Sequence, residues 1–261
     1  MSNYIFDTHS HYDDKAFDSD RDEILNGLFE KGIGKVVDVG ADMPSSKMAL
    51  ELAKQYEFVY AALGVHPSEV EGLTEDDMAW ISSHAAHEKV AAIGEIGLHC
   101  HWPEPEPALQ KQWFRRQIEL AKEVKLPIIV HSRDAAEPTM QIIQETKAYE
   151  CGGVIHCYSY SPEMAEEYVK MGFFIGMGGV LTFKNAKKLV RCAERIPLSS
   201  IVLETDCPYM APEPNRGKRN DSSQLIYVAQ KLAEIKGITA EEVKQATTEN
   251  AHRLYRLTQN K

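Results

Sequence analysis

Short runs of apolar residues alternate along the chain with longer segments whose apolar positions recur every three or four residues. Runs such as Ile128-Ile129-Val130 and Ile201-Val202-Leu203 carry no polar alternation. That is the pattern of parallel strands covered on both faces. The strands so predicted are Ile5–His9, Lys35–Val39, Tyr60–Val65, Val90–Ile96, Pro127–His131, Gly153–His156, Phe173–Met177 and Ser200–Asp206. Helices are expected over Arg21–Lys31, Ser45–Tyr56, Asp76–His84, Leu109–Val124, Ala135–Lys147, Pro162–Met171, Ala186–Ile196 and Ser222–Lys236, and one or two closing helices in Thr239–Lys261. In the fourth of these, Leu109, Trp113, Phe114, Ile118, Ala121 and Val124 fall on one stripe, which reads as packing against a sheet. No linker or low-complexity stretch interrupts the pattern, so residues 1–261 read as one domain.

Five of the strands end in a side chain able to bind a metal. The first carries His9 and His11; the others carry Glu95, His131, His156 and Asp206. A lone histidine at a strand end is most often a hydrogen-bonded core residue, but five such ends in order along one chain point to a common purpose. These donors suit Zn, Mn, Co or Mg. Six are too many for one tetrahedral ion and enough for two ions sharing a bridging carboxylate. The donors come from the first, fourth, fifth, sixth and eighth strands, and only a closed ring sets the first beside the eighth. The expectation is therefore an α/β (β/α)8 TIM barrel with a two-metal site at the C-terminal ends of its strands. A doubly wound sheet is the alternative, but it gathers ligands at one switch point.

Roles follow from residue type and alternation. His9 and His11, two apart, face one way and can grip one ion. Asp7 shares their parity and is placed to orient a histidine from behind. Glu95 lies between glycines and has two oxygens, which makes it the candidate bridge. His131 and His156 are assigned to the second ion. Asp206 is both a ligand and the candidate base, because water on a divalent ion loses its proton near neutral pH. Glu204, two residues earlier, is expected to support it. Arg133, two residues past His131, suits a phosphate. Arg216, Lys218 and Arg219, in the loop after the last strand, and His66, after the third, are further candidate substrate contacts.

Composition narrows the function. Lys and Arg number 29 against 39 Asp and Glu, giving a formal net charge of −10. That charge argues against a broad basic groove for nucleic acid but leaves room for a small cationic mouth. No run of apolar residues is long enough for a membrane span, and no basic-then-apolar leader precedes the first strand. The five cysteines lack paired spacing and read as reduced thiols, so a cytoplasmic protein is expected. Nothing calls for an obligate protein partner.

The set DTHSH, GEIGL, HSRDA, IHCYS and LETDCPY, with the later NRGKRN, resembles the TatD-type metal-dependent deoxyribonucleases of the amidohydrolase superfamily, nearly end to end. The resemblance implies a (β/α)8 barrel and hydrolysis of DNA phosphodiester bonds by metal-activated water, with 3′-end exonuclease activity on single-stranded ends. It also carries over His9, His11, Glu95, His131, His156 and Asp206 as ligands of two divalent ions. Other hydrolases fit the same donors: an amidohydrolase, lactonase, esterase or aminoacyl-tRNA deacylase. A non-catalytic binding barrel would leave six costly polar groups without a use. One departure stands out. Where the family commonly has Asp and aromatics after GEIGL, this chain has His99-Cys100-His101-Trp102. That run reads as an altered rim of the substrate pocket, bearing on specificity, and not as a third metal site.

Overall fold

A computed structural model describes residues 4–257. Its strands and helices alternate in the order β1 (Ile5–Ser10), α1 (Arg21–Gly27), β2 (Ile33–Val39), α2 (Met43–Gln55), β3 (Val59–Leu63), α3 (Glu75–His84), β4 (Val90–His99), α4 (Pro107–Val124), β5 (Ile128–Arg133), α5 (Ala136–Glu145), β6 (Gly153–Ile155), α6 (Pro162–Lys170), β7 (Phe174–Met177), α7 (Lys187–Arg195), β8 (Ile201–Leu203), α8 (Leu225–Lys236) and α9 (Ala240–Leu254). The strands form one sheet in chain order. This is the (β/α)8 architecture, reached because each uninterrupted apolar strand must be covered by the amphipathic helix that follows it. Of the closing helices expected in Thr239–Lys261, one forms, and the last four residues lie outside the described part.

The chain divides into two compact units, Asp38–His156 and the sequence flanking it on both sides. In the flanking unit the first and last strands meet, as the donor order required. Thr205 and Asp206 donate their amides to the His9 carbonyl at 3.3 and 2.9 Å, and His11 donates to the Cys207 carbonyl at 2.9 Å. Tyr255 ties the closing helix to β1 by donating to the Thr8 carbonyl at 2.7 Å.

Within Asp38–His156, β3 to β6 are parallel neighbours, and β4 pairs with β5 in the register Gly97–His131, Leu98–Ser132 and His99–Arg133. Helix α4 presents Trp113, Phe114, Ile118 and Ala121 inward, as its stripe predicted. It also buries two polar side chains that act on strand ends. Gln117 accepts from the Val65 amide at 2.8 Å and donates to the Val65 carbonyl at 3.0 Å. Gln110 does the same for His99, at 2.8 and 3.1 Å. Two loops that carry histidines are thereby fixed to the scaffold.

Among the departures from the expected boundaries are those in α1, β4 and β8; β4 runs to His99, three residues past Ile96. Helix α1 stops at Gly27, not Lys31, because Leu28 and Lys31 turn back in short loops onto Leu25 and Leu28. Strand β8 stops at Leu203, three residues before Asp206. No helix among the described residues is long and apolar enough to cross a membrane.

Candidate metal centre

In the flanking unit, three donors converge. His9 Nε2 and His11 Nε2 lie 3.1 Å apart, and Asp206 Oδ1 is 3.7 Å from the first and 3.4 Å from the second. Consecutive odd positions at the end of β1 bring the two rings together edge to face, their centroids 4.9 Å apart. Asp206 reaches them by a different route from the one expected. It adopts φ +57°, and so leaves the alternation of β8 altogether. The parity that paired it with Glu204 therefore does not hold. Glu204 is buried and accepts the Cys157 amide at 2.5 Å.

Asp7 holds that turn. Its carboxylate accepts from Thr205 Oγ1 at 2.6 Å, Ser222 Oγ at 2.6 Å, the Thr205 amide at 3.0 Å and the His9 amide at 3.2 Å. Complete burial pushes its carboxyl up to about 6, against the pull of those four donors. Asp7, expected to orient an imidazole, bonds here to the amides of His9 and Thr205 and to the Thr205 and Ser222 hydroxyls. Asn220 adds a bond from Nδ2 to the Thr205 carbonyl at 3.0 Å. Thr205, Ser222 and Asn220 were not found from the sequence, because their function depends on contacts with residues far away in the chain.

In Asp38–His156 a second group forms around Glu95. Its Oε1 is 2.7 Å from His131 Nδ1 and 2.6 Å from His156 Nε2, and these two nitrogens are 3.3 Å apart. Burial alone would raise the Glu95 carboxyl, but His156 and His131 outweigh it and hold the group well below the usual carboxylate range. In both groups, lone-pair donors face one another at short range. That crowding repels unless a cation or a proton sits among them, and two imidazoles with a carboxylate suit a divalent cation. The side chains present therefore fit the metal that their types suggest.

Close approach of β4 to β5 requires Gly97. Its φ is +149°, and a Cβ there would lie 2.9 Å from the His131 carbonyl carbon and 3.1 Å from its nitrogen. His66 stands beside the group, Nε2 4.0 Å from Glu95 Oε1. Its Nδ1 accepts the Ser68 amide at 3.1 Å, so the ring proton sits on Nε2. Burial lowers the His66 pKa to about 3, which keeps the ring neutral.

The expected substrate cations differ in how free they are. The Arg133 side chain is 49% exposed, its Nε 4.0 Å from Asp134 Oδ2. Arg219 is committed: it grips Asp20 through two bonds of 2.9 and 2.5 Å, donates to the Ala16 carbonyl and lies over Phe17. That pairing sets Arg219 apart from Arg216 and Lys218. Arg216 stacks on Phe183 at 4.2 Å, and Lys218 reaches the Asn215 side chain at 3.3 Å; both are exposed.

The His99 to His101 run divides. His101 turns outward to Asp134 at 2.8 Å. His99 turns inward, its Nδ1 3.0 Å from His131 Nε2 with the rings stacked at 14°. Burial lowers the His99 pKa below its ordinary value. Alternation could have revealed this, since Glu95, Gly97 and His99 lie at even spacing on one strand.

The family model described as TatD related DNase matches residues 6–256. YabD of Bacillus subtilis, an uncharacterized metal-dependent hydrolase, is 46% identical over 253 residues, covering 97% of this chain and 99% of its own. The uncharacterized metal-dependent hydrolase YcfH of Escherichia coli is 33% identical over 258 residues, covering 97% and 96%. The crystal structure of YjjV, a TatD homolog from Escherichia coli, superposes with a TM-score of 0.92 at 31% identity, covering 99% of this chain and 100% of that one. Matched over nearly its whole length and carrying two imidazole–carboxylate donor groups on a barrel, this chain belongs to the TatD family of metal-dependent hydrolases.

Proposed function

We propose that the protein is a deoxyribonuclease that removes nucleotides from single-stranded DNA ends, using two divalent ions. One ion is assigned to His9, His11 and Asp206. The other would be held by Glu95, His131 and His156. The observation that carries this reading is the pairing of such donor groups with a half-exposed guanidinium, Arg133, two residues beyond the ligand His131. A neutral ester or amide substrate gives that cation nothing to bind, whereas a phosphodiester does.

When bound, the ions supply Lewis acidity and lower the pKa of water. The rest of the work falls to side chains. Arg133 holds a non-bridging phosphate oxygen. His66, neutral with its proton on Nε2, donates to a substrate oxygen without competing for the metal. Asp206 accepts the proton of the attacking water, and the turn built on Asp7 keeps that carboxylate in place. Arg216 and Lys218 steady the departing strand.

The test is a substrate panel. Metal-reconstituted protein is offered single-stranded DNA, RNA, simple lactones and esters, and aminoacyl-tRNA. Stepwise shortening of DNA, with turnover of the neutral esters at least about 100-fold slower, is expected. Faster turnover of a lactone or aminoacyl ester would replace this reading with the esterase one.

A further inference from the structure

His66, His99 and His131 place ring nitrogens within 4.8 Å of one another, which invites a third metal site. The hydrogen bonds argue for something else. His131 Nδ1 faces Glu95 and His156, so it is the nitrogen that gives its lone pair to the ion. In a neutral imidazole the other nitrogen then carries the proton. That nitrogen, Nε2, points at His99 Nδ1 across 3.0 Å. His66 has no lone pair to offer at Nε2, because its Nδ1 already accepts the Ser68 amide. Two of the three nitrogens are thus N–H groups, and the trio is not a ligand set.

We infer that His99 is a positioning residue for the metal centre: its Nδ1 accepts the Nε2 proton of His131 and so fixes the tautomer and rotation of that ligand. Metal-binding histidines usually donate their second N–H to a carboxylate, a carbonyl or water, and losing that partner typically lowers metal affinity or activity about 10–100-fold. Here a neutral imidazole fills the place. It is well held for the task. Buried Gln110 of α4 bonds both the amide and the carbonyl of His99, and also the Pro105 carbonyl at 2.6 Å. Strand pairing sets His99 opposite Arg133, two pairs beyond Gly97–His131. The two rings lie within 14° of parallel with centroids 5.1 Å apart and nitrogens 3.0 Å apart, and the Gln110 bonds fix the backbone from which the His99 ring is presented. The inference rests on the assignment of His131 as a ligand.

The experiment compares wild type, His99→Ala, His99→Asn and His131→Ala, each stripped and then titrated with Zn2+ against a chromophoric chelator. Urea unfolding of the metal-free forms establishes that each variant folds. His99→Ala is expected to bind the same number of ions at saturation, with one of them 10–100-fold weaker. His99→Asn, whose amide oxygen sits where Nδ1 was, is expected to recover most of that affinity. A second readout is the proton NMR spectrum of the Co2+ form, in which the exchangeable His131 N–H should persist in wild type and His99→Asn and vanish in His99→Ala. If His99→Ala binds one ion fewer at saturation, the three histidines hold a metal and the inference is wrong. Unchanged affinity in His99→Ala overturns it equally. If His131→Ala keeps its full metal count and affinity, the failure lies instead with the ligand assignment.

Discussion

Replacing Gly97 with alanine tests whether the metal group of Asp38–His156 depends on the close approach of two strands. The new Cβ would sit 2.9 and 3.1 Å from the His131 carbonyl carbon and nitrogen, and closer still to its oxygen. Real Cβ contacts do not fall in that range, so β4 and β5 must separate by on the order of 1 Å at the residue that carries the ligand. The backbone cannot rotate to escape, since φ of +149° is itself a glycine conformation. Overpacking of this kind costs about 1–3 kcal/mol, and an unfavourable φ about 1–3 more. The total, roughly 2–6 kcal/mol, is a large share of the roughly 5–15 kcal/mol that holds a domain together. Urea unfolding of metal-free protein should show the loss, and Zn2+ titration should show weakened binding of one ion, because His131 moves with its backbone. Gly27→Ala is the control. Nothing lies within 4 Å of a Cβ there, and alanine in a helix is favoured over glycine by about 1 kcal/mol or less. If Gly97→Ala matched wild type within about 0.5 kcal/mol and bound Zn2+ equally well, the argument from strand approach would fail.

Four other outcomes are expected. His131→Ala and Asp206→Ala should each slow DNA hydrolysis at least about 100-fold while remaining folded by circular dichroism; near-wild-type turnover at saturating metal would refute their assignment. Arg133→Ala should lower DNA turnover yet keep the wild-type metal count by elemental analysis, and the loss of one equivalent would make Arg133 part of the metal site. Asp7→Ala strips four donors of their acceptor in a buried place, and should destabilise the fold by about 3 kcal/mol or more in urea titrations; a change below about 0.5 kcal/mol would mean that the Thr205–Asp206 turn stands without it. With Arg219 tied to Asp20, the remaining cations Arg133, Arg216 and Lys218 should give single-stranded DNA binding a shallow salt slope of about −2, whereas a slope near −6 would reveal a basic groove elsewhere.

The barrel was legible because its information is local. An uninterrupted apolar run such as Ile128-Ile129-Val130 followed by an amphipathic segment reports a covered parallel strand by itself, and the order of the donors demanded a closed ring. His9, His11, Glu95, His131 and His156 stood out as candidates for the same reason: each follows a recognisable apolar run. What the sequence concealed depends on partners far away in the chain. Arg219 resembles its neighbours Arg216 and Lys218 until Asp20 is brought against it. The end of β8 is masked because Glu204 and Asp206 preserve an alternating pattern, while Asp7, some two hundred positions earlier, draws Thr205 into a turn that the pattern does not contain. His99 carried a further signal. Reading it as one of a run with Cys100 and His101 hid the even spacing that joins it to Glu95.

The central claim is most directly tested by metal reconstitution. Stripped protein is incubated with 5′-labelled single-stranded DNA while Mg2+, Mn2+ or Zn2+ is added back in counted equivalents, and the products are resolved by length. The account predicts no cleavage without metal, and with a tightly binding ion it predicts activity that is complete only when two equivalents are bound, with the label passing through successively shorter fragments. Full activity at one equivalent, or intact DNA with every metal at saturation, would contradict it.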